Sequence, residues 1–279
     1  MKLGAFDIQP VTDGRFRLDG GAMFGVVPRV LWEKCCPADD QNRIQLALTC
    51  LLIRAHGKHI LVDTGLGNKL DAKSQTMFAV DRTPPLHDSL HAQGLAAEDI
   101  HMVINTHLHF DHSGGNTVSA NGRHLPTFPK AKYFVQRGEY EDAMNANERT
   151  KASYRCENFA PIEDLKQWGF LQGDTELLPG ISVVVTHGHT AYHQGVKIES
   201  EGKVAFYLGD LIPTVSHLPL PYIMGYDLYP LQTLATKRWI LDRAFNEGWL
   251  LIFEHDPRVQ MGYVKKDIEG KYYLEAVKG

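Results

Sequence analysis

Between Asn105 and His112 the chain reads Asn-Thr-His-Leu-His-Phe-Asp-His, followed by Ser113, Gly114 and Gly115. Four potential metal ligands, His107, His109, Asp111 and His112, fall within this short run. In an extended segment His107 and His109 point to the same side. A turn just after them would bring Asp111 and His112 round to the same centre. Imidazole nitrogen and carboxylate oxygen at about 2.0–2.2 Å are donors that zinc takes. Gathering these groups without a metal would carry a heavy desolvation cost. The chemistry expected here is metal binding.

Such a run must be held by rigid elements, and short apolar, β-branched segments recur along the chain. They are residues 46–53, 59–62, 101–105, 132–135, 181–185, 204–208 and 249–253. Several stop at Gly, Asp, Asn or His, as buried strands do when they end in functional loops. Helical patterns lie between them at 88–93, 139–146 and 231–245, the last with apolar residues at 231, 234, 239–241 and 245. Strands mixed with helices, without a Ser/Gly linker, predict an α/β sandwich and a single domain over residues 1–279. Two stretches read as loops that shape an apolar pocket. These are residues 19–32, with Met23 and Phe24, and residues 213–230, rich in Pro and aromatics, with Tyr222 and Tyr226.

Composition narrows the classes. The chain has 279 residues, 43% apolar and 22% charged, which excludes wholesale disorder. The 29 basic residues against 33 acidic ones give no pull toward nucleic acid or an anionic membrane. No apolar run approaches the roughly 18 residues of a membrane helix, and no signal peptide is visible, so a cytoplasmic protein is expected. The four cysteines form no C-x-x-C pair and read as reduced structural thiols.

The segment Thr-His-Leu-His-Phe-Asp-His-Ser-Gly-Gly-Asn resembles the H-x-H-x-D-H signature of the metallo-β-lactamase superfamily. Further elements resemble that family in its own order: Leu61 to Gly65, Gly188-His189-Thr190, Leu208-Gly209-Asp210 and Phe253 to Asp256. The resemblance implies an αβ/βα four-layer sandwich of two mixed β-sheets with two divalent metal ions. Carried over residue by residue, His107, His109 and His189 would hold one ion. Asp111, His112 and His255 would hold the other, and Asp210 would bridge both. Zinc is the leading choice, with manganese, iron or cobalt as alternatives. Asp63 is a candidate acceptor for a ligating imidazole N–H. His193 is expected to order its loop, and His187 to lie outside the ligand set. His217 keeps a claim only through its place in the pocket loop.

Within the family the chain looks most like quorum-quenching N-acyl homoserine lactonases and their organophosphate-hydrolysing relatives. Residues 21–28 resemble their N-terminal pocket loop, and Phe110 is the residue many of them carry inside the metal motif. The implied reaction is hydrolysis of a lactone or ester by a hydroxide bridging two metals, with Asp111 and Asp210 as candidates for proton management. Met23, Phe24, Phe110, Tyr222 and Tyr226 are the candidate substrate contacts. One departure stands out: Pro213 occupies the place of a tyrosine that assists the substrate carbonyl in well-known lactonases. The competing readings are an organophosphate or aryl esterase, a glyoxalase II-type thioester hydrolase and, remotely, a mononuclear iron persulfide dioxygenase. The expected partner is a small lactone or ester with an apolar part, with a homodimer left open by the apolar loops.

Overall fold

The computed structural model describes residues 1–277. The chain builds two compact units, each from two stretches: Met1–Gly14 with Leu48–Thr175, and Arg15–Ala47 with Glu176–Gly279. It passes from one to the other inside two long strands, β2 (Phe6–Asp19) and β3 (Arg43–Ala55), which follow the short β1 (Lys2–Leu3), and again between Thr175 and Glu176.

In the first unit β4 (Lys58–Val62) pairs antiparallel with β3 and parallel with β5 (Met102–Ile104). A two-stranded ribbon follows, β6 (Thr117–Ala120) and β7 (Arg123–Pro126). The parallel run then continues through β8 (Lys132–Gln136) to β9 (Trp168–Leu171), so the sheet is mixed. Its parallel strands are buried almost end to end, as strands covered on both faces must be. The core groups Leu52, Leu61, Val103, Tyr133 and Val135 with Leu86 and Leu90 of the helix Leu86–His91.

The second unit carries the sheet β10 (Thr175–Leu178), β11 (Ile181–Val185), β12 (Gln194–Ser200), β13 (Lys203–Tyr207), β14 (Leu250–Ile252), β15 (Met261–Lys266) and β16 (Tyr272–Ala276), in that spatial order. From β11 onward its neighbouring strands pair antiparallel except β13 with β14. Parallel neighbours need a long crossover, and the helix Pro230–Glu247 supplies it. That helix starts with Pro230 at its first turn and ends at Gly248, whose φ of 70° is left-handed.

The helix appears where the periodicity predicts it, but its buried face differs. Thr233, Lys237, Ile240, Leu241 and Ala244 are buried, while Leu231, Trp239 and Phe245 are exposed. Burying Lys237 is locally costly, and the cost is offset by two hydrogen bonds of 2.8 Å from its Nζ to the carbonyls of Pro219 and Tyr222. Desolvation pushes its pKa down to about 7. The folded protein therefore favours the neutral amine, whereas the unfolded chain stays protonated up to about pH 10.4. Between those values the unfolded state binds more protons, so this group makes stability rise as pH increases. The urea midpoint of wild type should climb from pH 7 to 10 more steeply than that of Lys237→Met. Parallel pH profiles would show that Lys237 is not the source.

Residues 19–32 also differ from the loop expected. They contain two short helices, Gly20–Phe24 and Arg29–Trp32. Asp19 starts the first, accepting a 2.7 Å hydrogen bond from the Ala22 amide. Among the described residues, no helix is long and apolar enough to cross a membrane.

Candidate metal centre

In the first unit β5 stops at Ile104, and the chain runs through His109, itself in an extended conformation, into the one-turn helix Phe110–Ser113. This strand-then-turn path packs three imidazoles together. The ring centroids of His107 and His109 lie 4.4 Å apart, and those of His107 and His112 lie 4.0 Å apart. Asp111 closes the group, with Oδ2 3.9 Å from His112 Nε2. All four residues are buried. The glycines after the motif allow the tight approach of the preceding turn: a Cβ on Gly115 would stand 2.2 Å from the Thr64 carbonyl oxygen.

Asp63 organises this group from the end of β4. Its carboxylate accepts from the Thr106 amide at 2.8 Å, the Thr106 hydroxyl at 2.7 Å and His112 Nδ1 at 3.2 Å. The Thr106 hydroxyl proton goes to Asp63, so its oxygen accepts from His107 Nδ1 at 3.0 Å. Both rings are thereby set with Nδ1 protonated, which leaves the Nε2 lone pair for a ligand.

The second unit shows the same logic more sharply. Asp210 lies in the turn after β13, and its two carboxylate oxygens face different rings. Oδ2 is 3.1 Å from His189 Nε2, and Oδ1 is 3.1 Å from His255 Nε2. On the far side of each ring, His189 Nδ1 donates to Asp227 at 2.8 Å and His255 Nδ1 donates to the Ala47 carbonyl at 2.8 Å. A neutral ring that donates from Nδ1 presents a lone pair at Nε2. Two lone pairs aimed at two carboxylate oxygens repel unless a cation lies between each pair. Two donors at about 2.1 Å on a tetrahedral ion stand about 3.4 Å apart, close to the spacing found. The donor set therefore fits divalent metal.

Three further contacts hold Asp210 and His255 in place. His193 accepts the Asp210 amide on Nε2 at 3.0 Å, while its Nδ1 bonds the Thr186 hydroxyl at 2.7 Å. His193 thus orients the Asp210 backbone. The His255 amide donates to the Pro213 carbonyl at 3.0 Å, so Pro213 serves the site through its backbone. His187 is exposed, with Nδ1 bonded to the Ala191 carbonyl.

The five residues expected at substrate fall into different settings. Phe110 is buried, stacked on Phe78 at 5.2 Å, with the Arg155 guanidinium 6.0 Å from its ring centre. Tyr222 and Tyr226 are half-buried in the aromatic loop. Phe24 is enclosed between Trp32, at 5.3 Å, and His217, at 4.4 Å, with near-parallel rings on both faces. That leaves Phe24 no accessible face, and Met23 beside it is 1% exposed. These two pack the loop. His217 clamps it, bonding the Met23 carbonyl through Nε2 and the Thr214 hydroxyl through Nδ1, both at 2.8 Å. Burial lowers the His217 pKa to about 3, so it stays neutral. Asp227 was not among the sequence candidates, because no local spacing links it to His189, 38 residues away.

Comparison with known proteins accords with these observations. Residues 45–255 match the metallo-beta-lactamase superfamily model. An N-acyl homoserine lactonase from Bacillus sp. is 32% identical over 168 residues, covering 57% of this chain and 60% of that protein. An N-acyl homoserine lactonase from Bacillus cereus is 30% identical over 170 residues, covering 57% and 61%. The chain thus spans about 60% of the length of these curated relatives. A probable metal-dependent hydrolase from Staphylococcus aureus superposes with a TM-score of 0.90 at 32% identity over the whole of both chains. AidC, a dizinc quorum-quenching lactonase solved with its product, superposes with a TM-score of 0.83 at 22% identity, covering 100% of this chain and 97% of that one, and supports the fold. The two mixed seven-stranded sheets, the donor-bearing loops at their strand ends and the match over residues 45–255 place this chain in the metallo-β-lactamase superfamily.

Proposed function

We propose that the protein is a metal-dependent hydrolase that opens the ring of N-acyl homoserine lactones. The observation that carries this reading is Asp210, whose two oxygens each face a different imidazole lone pair, the arrangement of a carboxylate that bridges two ions. On this reading His107, His109 and His189 serve one ion and Asp111, His112 and His255 the other, with zinc as the metal. The two units then work as one catalytic domain over residues 1–279. The lactonase relatives at 30–32% identity support the substrate class.

Two such ions would supply ionised water at neutral pH and polarise the acyl oxygen of the substrate. The chain's own residues do the rest. Asp63, Asp227 and the Ala47 carbonyl hold three rings in the tautomer that presents Nε2. His193 holds Asp210 through its backbone, so the carboxylate keeps both oxygens forward. Phe110, Tyr222 and Tyr226 offer the apolar and hydroxyl surface for the acyl chain and ring. Pro213 has no side-chain hydroxyl, and Tyr222 or Tyr226 is the phenol proposed to assist the lactone carbonyl in its place.

Ring opening of an acyl homoserine lactone series, followed by proton release, tests the reading. Chelator-sensitive hydrolysis that depends on chain length is expected. If the metal-loaded protein is inert toward lactones yet cleaves aryl esters, phosphotriesters or glutathione thioesters, the lactone assignment fails and the hydrolase assignment stands.

A further inference from the structure

The first unit holds a cavity of about 650 Å³ that none of the seven metal-donor residues lines. Leu86 and Leu90 of the helix Leu86–His91, Val118 of β6 and Phe128 form much of its apolar wall. A second cavity of about 260 Å³ adjoins it, and the two share Gly67, Asn68 and Arg82. Arg82 therefore stands where the large apolar chamber meets the smaller one.

The guanidinium is only partly used. Asp13, itself completely buried, accepts from Arg82 Nε at 3.1 Å and from Nη2 at 2.6 Å. Asp13 is also bonded by the amides of Gly67 and Leu86, at 2.9 and 2.8 Å, so its acceptor capacity is filled. Nη1 has no hydrogen-bond partner among the described residues, and the side chain is 25% exposed. The Asn68 amide beside it is exposed. Asp88 is the one carboxylate lining either cavity, and it is paired with His87 at 2.9 Å. A fixed cation with a free N–H edge, in the wall of an apolar chamber, suits a ligand with a single anionic end.

We propose that this chamber binds a medium-chain aliphatic carboxylate, its tail among Leu86, Leu90, Val118 and Phe128 and its carboxylate on Arg82 Nη1 and Asn68. The volume matches a small-molecule site. The apolar wall gives affinity in proportion to chain length, and the guanidinium edge gives preference for an acid over an alcohol of the same length.

Calorimetric titration of the metal-loaded protein with decanoate and with decanol tests this. Decanoate should bind at least about tenfold more tightly than decanol, a difference of about 1.4 kcal/mol. Val118→Trp, which fills the chamber from a half-buried ribbon position, should weaken decanoate at least about tenfold while lactone hydrolysis stays at the wild-type rate. Ala97→Leu fills the same chamber from another wall, and Asn68→Ala removes a head-group contact without disturbing Asp13. A carboxylate bound at the metal donors would be indifferent to Val118 and Ala97, so undiminished decanoate binding in both folded variants overturns the proposal. Equal affinity for decanol, or no binding by wild type at millimolar decanoate, overturns it as well. The binding readings, unlike the hydrolysis control, do not depend on which ester the protein hydrolyses.

Discussion

On the proposed two-metal reading, Asp210→Asn is expected to lower hydrolysis by about 10³-fold or more and to reduce bound metal from two ions per chain to one or none. The reason lies in the symmetry of the carboxylate. Each oxygen stands 3.1 Å from a different Nε2, and both rings are fixed by hydrogen bonds on their opposite nitrogen. Asparagine keeps the shape but replaces one oxygen with an NH₂ donor. That donor points a hydrogen at an imidazole lone pair, closing one ligand position with a hydrogen bond. Charge stabilisation by a metal is worth several kcal/mol in a transition state, and each 1.36 kcal/mol is tenfold in rate, which gives the expected loss. The backbone remains anchored by His193, so the variant should fold. Elemental analysis and turnover decide the matter together. Two ions with near-wild-type activity would remove Asp210 from the bridging role.

Much of this arrangement is legible in the residues because its signals are local. His107, His109, Asp111 and His112 fall close together in the stretch after a strand and in the one-turn helix that follows, so spacing alone groups them. The crossover helix at 230–247 is likewise written in a helical period. Its buried face is not, because tertiary contacts decide that a lysine goes inward while Trp239 stays out. The carbonyls of Pro219 and Tyr222 that make Lys237 tolerable lie 15 to 18 residues away, in a stretch with no period. The burial of Phe24 is hidden from the sequence for a similar reason. Its partners Trp32 and His217 come from two separate stretches, the short helix Arg29–Trp32 and the turn at Val215–His217, and only their meeting encloses the ring. Asp227 and the Ala47 carbonyl were invisible because the atoms that orient a ligand are recruited by space rather than by spacing. Asp63 was an exception, since its strand-and-turn element resembles a family motif that can be read directly.

Asp63→Ala should destabilise the protein by about 3 kcal/mol or more, because it leaves three buried donors without an acceptor. Those donors are the Thr106 amide, the Thr106 hydroxyl and His112 Nδ1, at 2.8, 2.7 and 3.2 Å from a carboxylate that is itself completely buried. At about 2–4 °C per kcal/mol for a chain of this size, the melting temperature should fall by roughly 10 °C. Backbone conformation adds to the loss. Asp63 has a φ of 54°, a left-handed conformation that aspartate and asparagine tolerate better than alanine. Asp63→Asn separates the two contributions: it keeps the backbone preference and one acceptor oxygen but loses the second oxygen and the charge. It should therefore melt between wild type and alanine. The same carboxylate fixes the ring of a proposed ligand, and outer partners of this kind are worth about 10–100-fold in metal affinity. Both variants should thus bind metal more weakly, and chelator-treated protein should keep most of the difference in melting temperature. If Asp63→Ala melts within a degree or two of wild type in the presence of chelator, the hydrogen bonds contribute little to the fold. Asp63 would then act only through the metal.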